Sequence, residues 1–173
     1  ALICVSLAAA ESFTNPIYPR GADPWVIQYN REYVYCYSRD GQIHVAKTNR
    51  LERIGYAPGV AVWKPAQGQP FSKELWAPEL HRLQDRFYIY VAADDGANRN
   101  HRMWVLEGDS KDPQKPFQLK GKIASPDDHW AIDGTVLSWN DGRLYFIWSG
   151  WEGNENVRQN LYIAPMSNPW TIS

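Results

Sequence analysis

The sequence has no excess of charge of either sign. Its 173 residues carry 18 Lys and Arg against 19 Asp and Glu, a formal net charge of −1. A nucleic-acid coat or a polybasic membrane binder needs a one-signed surface, so the balance argues against both. Long hydrophobic runs are missing too: no stretch approaches the roughly 20 apolar residues that a membrane helix needs. Cysteine is scarce, and two copies do not make a disulfide framework. The histidines His44, His81, His101 and His129 show no H-x-x-x-H or H-E-x-x-H spacing, so nothing supports a zinc site. No Gly-rich phosphate loop and no Asn-x-Ser/Thr acceptor occur. What the chain does have is aromatic: 9 Trp, 10 Tyr and 5 Phe make up 14% of it. Together with 12 Gly and 12 Pro, this is the composition of a turn-rich β protein.

The first ten residues, A-L-I-C-V-S-L-A-A-A, are apolar and small, and the polar Glu11-Ser12 follow at once. An apolar core about 7 to 15 residues long that ends in small residues marks a secretory signal peptide. Residues 1–10 are therefore expected to be the remnant of one, residues 11–173 the domain, and the protein secreted to the extracellular space. An ordinary buried N-terminal strand is the alternative. Cys4 would leave with the leader. Cys36, inside the run Tyr33-Val34-Tyr35-Cys36-Tyr37, is expected to be a buried small hydrophobe and not a nucleophile.

Three segments share one layout. Asp23 to Tyr29, Glu79 to Leu83 and Asp133 to Trp139 each lead through a short polar turn into a β-rich run. Those runs are Tyr33–Tyr37, Phe87–Val91 and Leu144–Trp148. The arrangement predicts three β-hairpins, with Asp141-Gly142 the strongest turn signal. The second strands begin at Tyr33, Phe87 and Leu144, spacings of 54 and 57 residues. A further short strand follows each hairpin in step, beginning at Ile43, Met103 and Leu161, spacings of 60 and 58. Four short strands per roughly 50 to 60 residues make one propeller blade. Ser72–Asp85 has a helical look, but Pro78 interrupts it because proline lacks the N–H that a helix interior requires. One blade cannot bury both of its faces, and propellers close with roughly four to eight. About three blades are expected here, and the chain is accordingly read as a fragment.

Every first strand opens near an acid: Asp23 in A-D-P-W, Glu79 in W-A-P-E and Asp133 in I-D-G-T. In a propeller the first strand of each blade lines the central channel, so equivalent positions converge at one mouth. Acids gathered there would perturb one another's pKa. Paired acids at a partly dry site suit glycoside hydrolysis, in which one protonates the leaving oxygen while the other activates water or attacks the sugar. Indole faces also pack well on sugar C–H surfaces. The structural alternative is that these acids cap strands or pair with arginines around the channel.

The motifs N-P-I-Y-P-R-G-A-D-P-W-V, E-L-W-A-P-E-L, A-I-D-G-T-V-L and S-G-W-E-G-N-E-N-V-R-Q-N-L-Y-I-A give the chain a resemblance to glycoside hydrolase family 43 from about Asn15 onward. The resemblance implies an all-β fold of the five-bladed β-propeller type, with arabinofuranosidase, arabinanase or β-xylosidase activity. It implies that Asp23 is the general base and that Asp133 is the second aspartate, which orients the acid and tunes its pKa. Trp76 would be an aromatic beside the sugar and Glu79 a channel-lining carboxylate. The family inverts configuration, and its general acid is a glutamate on a later blade in a Glu-Gly-Pro context. No such sequence occurs before Ser173, and Glu152 and Glu155 share a blade with Asp133. The segment alone is therefore expected to be inactive, the general acid lying outside this chain.

His101 follows the polar loop Asp94–Asn100 and could edge the sugar site, although a solvated loop histidine is the simpler reading. Asp94-Asp95 with Asn98 and Asn100 superficially suggest calcium but lack EF-hand spacing. Some family members hold a channel metal such as calcium; its ligands cannot be placed in this sequence, and no cofactor is expected. Asp127-Asp128-His129-Trp130 is expected to shape the rim of the site. The favoured function is an inverting α-L-arabinofuranosidase acting on plant cell-wall arabinan or arabinoxylan. A β-xylosidase of the same family and a non-catalytic carbohydrate-binding propeller are the rivals. The expected partner is a polysaccharide or oligosaccharide, with neither nucleic acid nor membrane.

Overall fold

The structure is a computed structural model that describes residues 12–173. The candidate leader at 1–10 and Cys4 lie outside the described residues. The described chain forms three four-stranded antiparallel sheets, each from one contiguous stretch of sequence. The first holds β1 (Trp25–Tyr29), β2 (Glu32–Arg39), β3 (Gln42–Thr48) and β4 (Gly59–Trp63). The second holds β5 (Lys73–Leu83), β6 (Arg86–Asp94), β7 (Arg102–Glu107) and β8 (Gln118–Ile123). The third holds β9 (Ala131–Ser138), β10 (Leu144–Trp151), β11 (Gln159–Asn168) and β12 (Thr171–Ile172). In each sheet the strands follow chain order, so all three expected hairpins and all three follow-on strands are present.

Turn chemistry explains the hairpins. Asn30-Arg31, Asp40-Gly41 and Gln84-Asp85 are two-residue connections with both residues at positive φ, the primed geometry whose twist matches paired strands. Asp141-Gly142, the strongest turn signal, lies as expected in the turn between β9 and β10, which is closed by the Trp139 amide on the Arg143 carbonyl at 2.8 Å. The helical look of Ser72–Asp85 gives way to β5, an edge strand of its sheet. Pro78 is tolerated there because the ladder is already broken, its register shifting between Trp76 and Glu79.

Two apolar cores lie between successive sheets. Val34, Cys36, Ile43 and Val45 of the first sheet meet Leu80, Phe87, Ile89 and Val91 of the second. Tyr88, Tyr90, Met103 and Val105, on the second sheet's other face, meet Val136, Phe146 and Trp148 of the third. This two-sided burial is why β6 reads F-Y-I-Y-V-A-A without alternation and is buried from Phe87 to Asp94. By contrast β11 alternates exposed and half-buried residues, because only one of its faces meets a sheet. Cys36 is free and fully buried, as expected; burial first, then the charge of Glu79, pushes its thiol pKa up and leaves it unreactive.

Candidate active site

The first strands of the three sheets run side by side, β5 packing against both β1 and β9. Just before β1, within β5 and within β9, the backbone turns through a left-handed residue: Asp23 at φ 43°, Ala77 at φ 42° and Asp133 at φ 53°. Each directly precedes Pro24, Pro78 or Gly134, so the three are equivalent positions in the repeat. This corrects the expectation that Glu79 is the counterpart of the two aspartates. The counterpart is Ala77, and Glu79 lies two residues further along β5, past the bulge. Left-handed conformation at Ala77 is costly for a residue with a Cβ and no polar side chain, which marks the mouth as a place where the backbone is constrained.

Asp23 and Asp133 are exposed at the mouth, and neither forms an ion pair among the described residues. Pairing with arginines around the channel is thereby set aside for both. Asp23 lines a cavity of about 100 Å³ with Tyr18, Arg20, Tyr35, Arg39 and Pro78. The Asp133 carboxyl is held above the ordinary carboxylate range, first by desolvation and then by the negative charges of Asp23 and Glu79. The three acids of the motifs are therefore within electrostatic reach of one another. Glu79 is more enclosed and engages His81, with Oε2 at 2.9 Å from Nε2. His81 in turn lies against the Trp25 ring, 4.8 Å between centroids. The Trp25 indole N–H donates to the Leu80 carbonyl at 2.6 Å, tying the first sheet to the second beside the acids.

Trp76 is half-buried on β5, between Glu74 and Ala77, both of which have positive φ. Its indole N–H donates to Glu74 Oε2 at 3.2 Å, and its ring stacks on His101 with centroids 4.0 Å apart. His101 is where the sequence reading fails. It is neither a solvated loop residue nor an edge of an open site, but fully buried behind Trp76 beside the equally buried Asp94. The loop's acids are already engaged by protein donors. Asp94 Oδ1 accepts the Gly96 amide at 2.8 Å, and Asp95 accepts the Ala97 amide and the Asn100 side-chain amide. Among the described residues, no group of three His, Cys, Asp or Glu side chains is arranged to hold a metal ion. Asp128 is a structural anchor, with Arg102 at 3.0 Å and Lys122 at 2.5 Å from its carboxylate. Sequence reasoning missed the Asp94–His101 pair because two polar residues seven positions apart give no sign of sharing one interior. The only clue was the uninterrupted apolar run of β6 that leads into Asp94.

This arrangement can do acid–base chemistry: an unpaired carboxylate, a second carboxyl biased toward its protonated form, and an oriented indole beside them. The family model of glycosyl hydrolases family 43 matches residues 13–173. An extracellular exo-alpha-(1->5)-L-arabinofuranosidase of Streptomyces avermitilis is 30% identical over 94% of this chain, which covers 34% of that protein. Alpha-L-arabinofuranosidase 43 of Humicola insolens is 29% identical over 98% of the chain, which covers 36% of that protein. The crystal structure of an alpha-L-arabinofuranosidase from Lactobacillus brevis superposes with a TM-score of 0.83 at 29% identity, covering 92% of this chain and 53% of that one. The chain thus spans about a third to a half of the length of the relatives it matches. The three sheets are blades of the five-bladed β-propeller type, and the chain belongs to glycosyl hydrolases family 43.

Proposed function

We propose that the complete protein is a secreted, inverting α-L-arabinofuranosidase that acts on plant cell-wall arabinan or arabinoxylan. The observation that carries this reading is the pair Asp23 and Asp133. Both sit on equivalent left-handed residues at one mouth, and the first's negative charge helps raise the second's pKa. The arabinofuranosidase names of the relatives favour the furanoside over the xyloside. Asp23, exposed and without an ion-pair partner among the described residues, takes a proton from the attacking water. Asp133 holds a hydrogen bond to the general acid and, when ionised, keeps that acid protonated by repulsion. The acid itself comes from outside residues 12–173. Glu152 is exposed and paired with Arg158 at 3.5 Å, and Glu155 is exposed on the same loop.

An inverting site keeps base and acid about 6.5–9.5 Å apart to admit the water. In the complete protein, Asp23→Asn should lower kcat on an aryl α-L-arabinofuranoside by about 10²- to 10⁴-fold while arabino-oligosaccharide affinity is retained. Proton NMR of the first-formed sugar should show the β anomer. Turnover that survives Asp23→Asn removes Asp23 from the base role. Sugar binding without any turnover by the unaltered protein would favour the non-catalytic binding propeller.

A further inference from the structure

The ring of His101 is surrounded by acceptors. Its Nδ1 lies 3.2 Å from the Asn98 carbonyl and its Nε2 lies 3.2 Å from the Glu74 carbonyl. A backbone carbonyl can only accept, so this setting fits a ring that donates from both nitrogens. Its counter-charge is Asp94, with Oδ2 at 3.1 Å from Nδ1. The Nδ1–H is directed at Asn98, so Asp94 Oδ2 lies off that axis and acts as an ion and not as the hydrogen-bond acceptor. Both side chains are 0% exposed. The other groups around the ring are Trp76 from β5, Trp130 edge-on at 6.4 Å, and Arg102, whose guanidinium donates to His101's own carbonyl at 2.9 Å.

A buried ion pair is a poor source of net stability, since a well-packed apolar substitute is often as good or better. Its geometry here serves something else. The Nε2–H grips the carbonyl of Glu74, a left-handed residue whose side chain holds the Trp76 indole N–H, and the imidazolium face lies flat beneath the indole itself. The buried ring thus meets the face of Trp76 directly and reaches its indole N–H through Glu74. We propose that the Asp94–His101 ion pair is a positioning pair, acting through Trp76 to set the plane of the indole that borders the sugar. This role rests on the sugar-binding reading of Trp76 given above. A cation against the indole face adds attraction that a neutral ring would not supply.

The tests use the complete protein. In ¹⁵N-histidine-labelled protein, His101 should show both ring nitrogens protonated; a neutral single tautomer overturns the proposal, and this measurement needs no variant. His101→Phe keeps a ring behind Trp76 and removes the charge and both hydrogen bonds. It should shift the indole N–H resonance of Trp76, which is assigned from its loss in Trp76→Phe; an unchanged resonance overturns the proposal. If His101→Phe does not fold, Asp94→Asn is read the same way. Arabino-oligosaccharide affinity completes a double-mutant cycle. Here His101→Phe should cost about tenfold alone and nothing further on a Trp76→Ala background, whereas additive losses overturn the proposal. Should Trp76→Ala bind oligosaccharide as tightly as the unaltered protein, the sugar-binding reading of Trp76 falls, and the indole resonance still decides whether His101 positions it.

Discussion

At the scale of single residues, the carboxyl of Asp133 ties the proposed chemistry to stability. Its folded pKa is raised by desolvation and by Asp23 and Glu79, so the folded protein holds this proton more tightly than the unfolded chain does. The associated stabilisation is fully present below the ordinary aspartate range and is lost as pH rises through the raised value. At neutral pH the ionised group opposes folding, and Asp133→Asn removes that opposition. The variant should therefore be more resistant to urea than the unaltered protein at pH 7, and the gain should vanish below about pH 3.5, where aspartate is protonated in both states. Chemical denaturation across that range measures it; an equal gain at both ends would mean the charge is not the cause. Asp23 and Asp133 were legible in the sequence because each stands beside Pro or Gly in a short recurring motif. The part played by His101 was not, because it depends on a stack and an ion pair between residues of unremarkable spacing.

Among elements, β9 shows how closely the blades approach at the mouth. Gly134 is buried directly after Asp133, and a Cβ there would lie 2.7 Å from Met103 Cε and closer still to the Phe146 ring. Phe146 belongs to the neighbouring strand of the same sheet, and Met103 to the second sheet. A Cβ at 134 thus fits only if the Phe146 ring and the end of Met103 give way. Gly134→Ala should cost about 1–3 kcal/mol in urea denaturation, the range for overpacking a tight core, and should lower activity by displacing Asp133. A neutral outcome would show that β9 can slide away from the second sheet. The strands themselves were well marked by their aromatic and β-branched runs. In β5 only Glu79–Leu83 was marked, because the Trp-Ala-Pro-Glu bulge breaks the strand pattern before it.

Across the whole molecule, each sheet comes from one contiguous stretch and each core is shared by two sheets, so blades support one another as neighbours in a row. The hydroxyl of Tyr90 on the middle sheet donates to the Pro169 carbonyl of the third at 2.5 Å, a polar tie inside that apolar boundary. Around this row the same left-handed turn recurs at Asp23, Ala77 and Asp133, whether or not an acid occupies it. Asn and Gly adopt that conformation readily, whereas β-branched residues resist it. A genetic screen for loss of activity should therefore return two kinds of allele at codons 23 and 133. Changes to Asn or Gly should leave normal amounts of inert protein, and changes to Val or Ile should deplete the protein itself, as immunoblotting of the recovered alleles would reveal. Codon 77, which carries the turn without the acid, should yield only the second kind.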